Sequence, residues 1–416
     1  MNVLLKLSFS HLMGRPRQTI VSIAGVAVGV GFFIAMAALM QGFQAYFVQK
    51  IIDITPHIMV KDEFRTPPLQ PLQTLFPNAA LDLKGLKPKD EKRGIRNHAR
   101  IHQSLKKLKE ASVTKGLEGE AFLNFGSKTM GVALSGIDPE AEKKVSTLDK
   151  DIFKGKLDNL LVKKNGIIIG IGVSEKLGLK MNDTVTVVSS EGVILRMKIV
   201  GIFSTGLTTQ DNRTTYVQLK KAQILLRRQN VINNLRLRIE NVDDAEIVAR
   251  QIENQFGYRT ESWQESNVNV LSIFKVQNLV TYSTIIAILI VSSLGIFNII
   301  STIVFEKSRD IAILKSIGFF EEDIKKIFLV EGFLVGIIGS ILGWGLGYSL
   351  CLALEQVPIS VKDGAFIRIE GFYLLYTLWH YSIGAFVSIT SAVLAAYLPA
   401  RKAAYLKPVD IIRGAA

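Results

Sequence analysis

The sequence predicts a membrane α-helical protein with four transmembrane helices and one large extracytoplasmic α/β domain. Hydrophobic residues make up 48% of the 416 residues, and the mean hydropathy of +0.29 is too high for an ordinary soluble protein. Four stretches reach the roughly 20 apolar residues that a helix needs to cross a bilayer. A long polar stretch separates the first of them from the other three, so the domain is predicted to lie between spans one and two.

The four predicted spans are recognised by their lack of charged side chains. Residues 19–49, 276–305 and 379–398 contain none, and residues 327–354 contain only Glu331. These limits divide the chain into an N-terminal segment (1–17), span one with its stalk (18–47), an external domain (48–275), span two (276–305), a loop with a coupling helix (306–326), span three (327–354), an external loop (355–378), span four (379–398) and a tail (399–416).

The distribution of Lys and Arg beside the spans predicts the orientation. An even number of spans places both termini on one side of the membrane, and short basic segments favour the cytoplasm. The loop between spans three and four is not basic, because acidic residues balance Lys362 and Arg368. The termini and the 306–326 loop are therefore predicted to be cytoplasmic. The basic residues on that side are Lys6, Arg15, Arg17, Lys307, Arg309, Lys315, Lys325, Lys326, Arg401, Lys402, Lys407 and Arg413.

Composition and motifs narrow the class of function. The net charge of +14 favours an anionic partner, and phospholipid is preferred to nucleic acid because no base-stacking motif accompanies the basic residues. The single cysteine, Cys351, excludes a disulfide within the chain. The sequence contains no G-x-S-x-G, H-E-x-x-H or Walker A pattern, so we expect no catalytic residue and no nucleotide site in this chain. His98 and His102 allow a metal site, but without a third ligand a solvated helix face is preferred.

The external domain is predicted to be mixed α/β, with strand–helix patterns flanking a β-rich insertion at about 141–230. Residues 62–95 are rich in Pro, Lys and Asp and predict an irregular excursion. The predicted strands are 57–61, 129–137, 185–189, 195–203, 215–217, 235–239 and 258–262. The predicted helices are 96–111, with Ile101, Leu105 and Leu108 on its apolar face, and 243–256, with Asp243 and Asp244 as its N-cap.

The loop between spans two and three predicts a short amphipathic helix. Its apolar side chains recur every three residues, and its charged side chains lie largely off that stripe. Gly318 is expected to end the helix. Two interpretations stay open, a helix that lies on lipid and a docking helix for a cytoplasmic protein, and the mixed signs of the charges favour the protein. The stripe consists of Ile311, Leu314, Ile317 and Phe320, and the charged residues are Glu306, Lys307, Arg309, Asp310 and Lys315.

Span one carries large, adaptable apolar side chains near the outer leaflet. Met and Phe suit an irregular surface, so this stripe predicts either a wall that receives acyl chains, or ordinary helix–helix packing or plain exposure to lipid. Ile285, Leu289 and Ser292 of span two are candidates for the opposite side of the wall. Neither run contains a charged residue, which argues against an ionic route. The stripe consists of Phe32, Met36, Met40, Phe43 and Phe47.

Small residues predict close helix packing in spans one and three. Glu331, the acid within span three, is expected to pair with Lys326, Arg401 or Lys402 near the membrane boundary, in preference to acting as a charge-coupled hinge. The packing candidates are Gly25 and Gly29 in span one and Gly332, Gly336, Gly343 and Gly347 in span three.

Both membrane ends of the sequence resemble one known family. The motif E-K-x-x-D-I-A-I-L-K-x-x-G, which ends at Gly318, is similar to the loop of FtsX/MacB-type ABC transporter permeases, nearest to the lipoprotein-releasing LolC/LolE permeases. Residues 15–19 (RPRQT), residues 55–58 (TPHI) and the tail 399–413 (PARKAA and PVDIIR) agree with the family pattern. The order of one span, a large domain and three spans also matches.

The resemblance implies a permease subunit of the bacterial inner membrane that pairs with a second permease copy, identical or related, and with a cytoplasmic ABC ATPase dimer. It implies a MacB-like periplasmic domain with Porter and Sabre subdomains. ATP and Mg would be bound by the ATPase, and this chain would hold no cofactor. The implied coupling residues are Glu306, Lys307, Arg309, Asp310, Ile311, Leu314, Lys315 and Gly318.

The implied function is ATP-driven release of lipoproteins or similar amphiphiles from the outer leaflet, with a periplasmic carrier or adaptor as a further partner. Closure of the ATPase would push the coupling helix, and the two long helices of spans one and two would transmit the motion outward. A MacB-like efflux permease and an FtsX-like transmitter that controls a cell-wall hydrolase are the alternatives.

Overall fold

The computed structural model describes residues 3–14, 16–65, 94–108, 111–357, 360–361 and 369–407. The chain divides into two compact units. The helical unit comprises Met1–Tyr46, Ser272–Ile359 and Gly371–Ala416, and the α/β unit comprises Phe47–Leu271 and Ser360–Glu370. Arg15, most of the predicted excursion, Lys362 and the tail beyond Lys407 lie outside the described residues.

The helices and strands are numbered in chain order. The helices are α1 (Val3–Met13), α2 (Pro16–Ile54), α3 (His98–Leu105), α4 (Pro139–Val145), α5 (Leu148–Asp151), α6 (Asn159–Val162), α7 (Ile171–Leu177), α8 (Thr208–Asp211), α9 (Leu219–Leu225), α10 (Ala245–Phe256), α11 (Trp263–Ser266), α12 (Val268–Glu306), α13 (Ser308–Ser316), α14 (Glu321–Glu355) and α15 (Leu378–Ala404). The strands are β1 (Ile58–Lys61), β2 (Ser112–Phe125), β3 (Lys128–Ile137), β4 (Ile152–Gly155), β5 (Gly166–Gly170), β6 (Thr184–Ser189), β7 (Ile194–Phe203), β8 (Thr214–Gln218), β9 (Asn234–Arg238), β10 (Thr260–Ser262), β11 (Ser360–Val361) and β12 (Ile369–Glu370).

Within the described residues, four helices are long and apolar enough to cross a membrane, namely α2, α12, α14 and α15. The predicted fold class of four spans with an α/β domain is therefore confirmed. Helices α2 and α12 each contain 39 residues, which is about 58 Å of helix at 1.5 Å per residue. Both helices extend beyond the spans predicted from the sequence. The predicted spans end at charged residues, but a charged residue does not end a helix.

The N-terminal segment contains a helix that the sequence analysis did not predict. Helix α1 packs against α14: Ser8 is buried, and its hydroxyl donates to the carbonyl of Ile327 at 2.9 Å. Leu12 joins the apolar core of the helical unit. Helix α1 is thus part of that core.

Glycines bring helix α14 close to two neighbours on different faces. A Cβ at Gly336 would lie 2.9 Å from the Cα of Ile389 on α15, and a Cβ at Gly343 would lie 2.7 Å from the Cβ of Val30 on α2. Gly332 likewise faces α15, and Gly347 faces α2. The packing role predicted for the glycines of span three agrees with this geometry.

The glycines of span one differ from one another. A Cβ at Gly29 would lie 3.2 Å from the Cγ2 of Ile288 on α12, which is a close helix contact. Among the described residues, no heavy atom outside its immediate neighbours lies within 4 Å of a Cβ built at Gly25. The packing role predicted for Gly25 is therefore wrong within this chain.

Six strands of the α/β unit pair in a closed ring. The order is β2-β3-β8-β5-β7-β6, and β6 pairs again with β2. Leu123, Leu134, Ile167, Val187 and Ile199 are fully buried in its core. Because β2 and β3 precede residue 141, the predicted insertion at 141–230 is only part of this ring and does not form a sheet by itself.

The start of β2 continues into a second group of strands in the order β2-β9-β1-β10. Helix α10 packs against β1 and β10. A 3₁₀ turn (Val242–Asp244) precedes α10, and the side chain of Asn241 caps this turn by accepting from the backbone N–H of Asp243. Asp244 holds the N-cap position of α10, but its side chain makes no capping hydrogen bond. Helix α3 buries Ile101 and Leu105, but it ends at Leu105 and leaves Leu108 exposed.

Candidate functional site

Helix α13 of the loop between α12 and α14 is buried on one side. Ile311 and Ala312 are almost completely buried, and Leu314 packs against the same core, which includes Ile324 and Phe328 of α14. Gly318 follows the helix with φ +107°, a backbone conformation that favours glycine, and the chain turns there into α14. The loop is therefore a packed element of the helical unit.

Lys315 fixes this loop to the end of span four. Its ammonium group donates to the carbonyls of Ala404 at 2.7 Å and Leu406 at 3.0 Å, where the helix macrodipole also favours a positive charge. Glu321 lies 3.6 Å away. Lys315 is thus largely engaged within the chain, whereas Lys307 and Asp310 form an exposed ion pair at 2.8 Å.

The outer surface of the loop is apolar as well as charged. Ile313, Ile317 and Phe320 are 56%, 70% and 76% exposed, and Glu306, Arg309 and Asp310 are also exposed. The predicted stripe is therefore wrong in part, because Ile311 and Leu314 face the core while Ile317 and Phe320 face outward. The helix ends at Ser316, so the three-residue spacing does not continue on one face. Ile313 was not among the residues predicted for this loop. Its spacing of four positions from Ile317 could have indicated that the two side chains share one face.

An apolar cleft of about 600 Å³ lies between α2 and α12. Phe32 lines it and is 46% exposed. The other described lining residues are small or aliphatic, and none of them carries a charge. The small residues of the lining are Ser22, Gly25 and Gly29 on α2 and Ala287, Ser292 and Gly295 on α12.

Of the other residues of the predicted wall, only Ser292 joins Phe32 in the described lining of this cleft. Ile285 and Leu289 line a smaller pocket, together with Phe33 and residues of α15. Met40 contacts Gln277, and the ring of Phe43 meets that of Phe274 edge-on at 6.5 Å between centroids. Met36 is half-buried. Phe47 belongs to the α/β unit and is buried there. The stripe does not line one cleft along its length, because Phe32 borders the cleft whereas Met40 and Phe43 pack against residues of α12.

Glu331 pairs with a histidine of the N-terminal helix. The Oε1 atom of Glu331 lies 2.8 Å from Nδ1 of His11, and both side chains are largely buried. The expected partners Lys326, Arg401 and Lys402 are wrong. The pair joins residues 320 positions apart. Because no helix was predicted before span one, His11 was not considered as a partner.

Replacing His11 with leucine is expected to lower the free energy of unfolding by about 3 kcal/mol, because Glu331 would be left buried without its partner. Denaturant titration of the full chain in detergent measures this. The double variant His11→Leu/Glu331→Leu is the control and should recover most of the loss. Equal stability of the single variant and the unaltered chain would contradict the role of the pair.

The two histidines considered for a metal, His98 and His102, are both partly buried. The Nε2 atom of His98 pairs with the carbonyl of Asn230 at 3.2 Å. Burial lowers the pKa of His102 below its ordinary value, and the nearby Lys115 lowers it further. Within the part of the chain that the structure describes, no group of three or more His, Cys, Asp or Glu side chains is placed to hold a metal ion.

Models of two protein families match the chain. The MacB-like periplasmic core domain matches residues 19–255, which is more than half of the chain. The FtsX-like permease C-terminal region matches residues 282–408. Together the two matches cover most of span one, most of the α/β unit and most of the last three spans.

Curated relatives cover nearly the whole chain. The lipoprotein-releasing system transmembrane protein LolC of Neisseria meningitidis is 25% identical over 95% of this chain and 94% of its own. LolE of Haemophilus influenzae is 23% identical over 99% of each. The macrolide export ATP-binding/permease protein MacB of Salmonella paratyphi A is 26% identical over 44% of this chain and 28% of its own. Among solved structures, the periplasmic region of MacB from Actinobacillus actinomycetemcomitans covers 54% of this chain and 97% of its own, with 13% identity and a TM-score of 0.34.

Proposed function

This chain belongs to the ABC transporter permeases of the FtsX/MacB type, and on that premise we propose that it extracts lipoproteins or similar amphiphiles from the outer leaflet of the inner membrane. The energy comes from ATP hydrolysed by a cytoplasmic ATPase dimer. The termini and the α13 loop are on the cytoplasmic side, and the α/β unit is periplasmic. The observation that carries the proposal is the uncharged cleft beside Phe32.

The chemistry of the cleft favours an acyl chain. A hydrocarbon gains about 0.8 kcal/mol for each CH₂ group that it buries from water, and this gain is available during extraction because the chain must leave the lipid. Small residues such as Gly25 and Gly29 leave room along α2 for a narrow, unbranched ligand. An ionic solute would meet no charged group there.

The cleft also suits completion by a second permease copy. Val21, Val28 and Val291 are exposed along its length, and a second copy would enclose it. The partner is either an identical chain or a related permease. The acyl chain would then lie between the two permeases.

The α13 loop supports docking of the ATPase. Lys315 and the buried Ile311 fix helix α13 to the core of the helical unit. A force applied to the exposed Ile313 and Ile317 is therefore transferred to α12 and α14 with little deformation of α13. Exposed apolar side chains beside charges of both signs are typical of a protein interface rather than of a lipid surface.

A photo-crosslinking residue at Phe32 is expected to capture acylated lipoproteins in cells. Phe386, which is exposed on α15, provides the matched control position on a different face. Mass spectrometry identifies the captured species. Capture of phospholipid alone, or equal lipoprotein capture at Phe386, would contradict extraction through this cleft. Capture of a soluble export substrate or a hydrolase regulator would favour the MacB-like or FtsX-like alternative.

A further inference from the structure

The α/β unit contains a cavity of about 280 Å³ that the transport cycle proposed above does not use. It is lined by the end of α2, by strands β3, β8 and β9, and by helices α4 and α5. Ligand pockets in proteins begin at about 300 Å³. The cavity therefore fits a small molecule and is too small for a peptide or a lipid chain with its headgroup.

A buried ion pair forms one wall of this cavity. Arg236 of β9 is 5% exposed and Glu142 of α4 is 2% exposed. The Nη1 atom donates to Oε1 at 3.3 Å, and Nη2 lies 3.2 Å from Oε2 without the alignment of a hydrogen bond. The contact is long for an arginine–carboxylate pair, which usually measures about 2.7–2.9 Å.

Several polar atoms at this wall have unused hydrogen-bonding capacity. Within the described residues, Nε and Nη2 of Arg236, Oε2 of Glu142 and Oγ of Ser135 have no hydrogen-bond partner, although all are buried. Each such group costs about 1–3 kcal/mol if it stays unsatisfied. The wall thus offers two donors from a cation and one acceptor from a carboxylate.

The remaining charges show what kind of ligand is compatible. Glu118 and Asp151 also line the cavity, so three carboxylates face one guanidinium. Burial raises the pKa of the Asp151 carboxyl, while a hydrogen bond from Thr147 opposes the shift. A purely anionic ligand would be repelled by the excess of carboxylates, and a purely cationic one would leave the Arg236 donors unpaired.

We propose that this cavity binds a small zwitterion that carries an amine and an acid group. The acid group accepts from Nε and Nη2 of Arg236, and the amine donates to Oε2 of Glu142 beside Glu118 and Asp151. Ser135 supplies a further hydrogen bond. Two sources share this chemistry, an aminophospholipid headgroup and a free amino acid or amino phosphate.

Isothermal titration calorimetry of the purified full chain with phosphoethanolamine tests the proposal. We expect saturable binding to one site, and at least tenfold weaker binding of ethanolamine or inorganic phosphate alone. The absence of saturable phosphoethanolamine binding would overturn the proposal. Phosphate that binds as tightly as phosphoethanolamine would also overturn it, since the amine would then contribute nothing.

Two variants assign the binding to this cavity. Ser135→Ala removes a hydroxyl with no partner in the described chain, so it should leave the melting temperature unchanged and weaken binding about three- to tenfold. Arg236→Met/Glu142→Leu removes both charges together and should abolish binding without leaving an unpaired charge. Ser190→Ala, at an exposed position, is the control. Affinities equal to that of the control in both variants would overturn the assignment.

Phosphoethanolamine binding to the same chain in lipid nanodiscs distinguishes a lipid headgroup from a free solute as the source of the ligand. Displacement of phosphoethanolamine by phosphatidylethanolamine, but not by phosphatidylglycerol, would assign the site to a lipid headgroup. Unchanged binding in both lipids would assign it to a free solute. This test is independent of lipoprotein extraction, because it reads binding to the α/β unit without ATP or cargo.

Discussion

The double variant Ile317→Glu/Phe320→Glu is expected to lose its ABC ATPase while the chain stays folded. Both side chains are more than two-thirds exposed, so the change costs the isolated permease little. At an interface, truncation of a well-buried apolar contact costs about 2–4 kcal/mol, which is a 30- to 1000-fold loss of affinity. Co-purification of the ATPase and its permease-stimulated hydrolysis measure the effect.

Phe122→Glu gives a matched control for the loop variant. Phe122 is also exposed, but it lies on β2 of the α/β unit, so its change should leave ATPase binding intact. A second comparison is Lys315→Met, which should reduce stability because two helix-terminal carbonyls lose their donor. Full ATPase binding by the double glutamate variant would refute docking on this surface.

In the loop between α12 and α14, some features could be predicted from the sequence pattern and others could not. The motif predicted a short helix ended by Gly318, and the helix and its end are confirmed. The side that faces the protein was assigned wrongly for Ile317 and Phe320, because periodicity holds only while the helix continues. The tertiary bond from Lys315 to the end of α15 joins residues 89 positions apart, which no local pattern reveals.

The α/β unit illustrates a different limit. Strands rich in β-branched residues, such as β6 and β7, were predicted nearly to their ends. The 14-residue strand β2 was not predicted, because its two glycines and three charged residues interrupt the alternation of apolar and polar residues. Its pairing with β3 and β6 closes the ring, and its pairing with β9 joins the second group of strands. The sheet topology therefore depends on a strand that the sequence pattern did not reveal.

Helix–helix packing in the helical unit was predicted more successfully, since small residues in an apolar helix are typical of close contacts between helices. The glycines of span three could be recognised from spacing. Both Gly25 and Gly29 line the cleft, but spacing did not reveal that only Gly29 also lies close to Ile288. Both glycines are equally small, and only the positions of α2 and α12 show which of them also lies close to the neighbouring helix. The pairing of Glu331 with His11 could not be predicted from spacing, because it depends on how helix α1 packs against α14.

Gly343→Val is expected to disrupt the contact between α14 and α2 severely, and Gly345→Val is expected to be tolerated. A Cβ at Gly343 would lie 2.7 Å from the Cβ of Val30 and 3.0 Å from the carbonyl oxygen of Ala27. Because the second neighbour is backbone, the helices must separate, at a cost of at least about 2 kcal/mol. Among the described residues, no heavy atom outside its immediate neighbours lies within 4 Å of a Cβ at Gly345.

The pair of variants separates packing from helix propensity, because both place valine in the same apolar helix only two residues apart. Thermal unfolding of the full chain in detergent should show a lower midpoint for Gly343→Val and little change for Gly345→Val. If the two variants lose stability equally, the effect comes from valine in the helix and the close contact is not responsible. If the loss is confined to Gly343→Val, the close approach of α14 to α2 depends on the absence of a side chain at this one position.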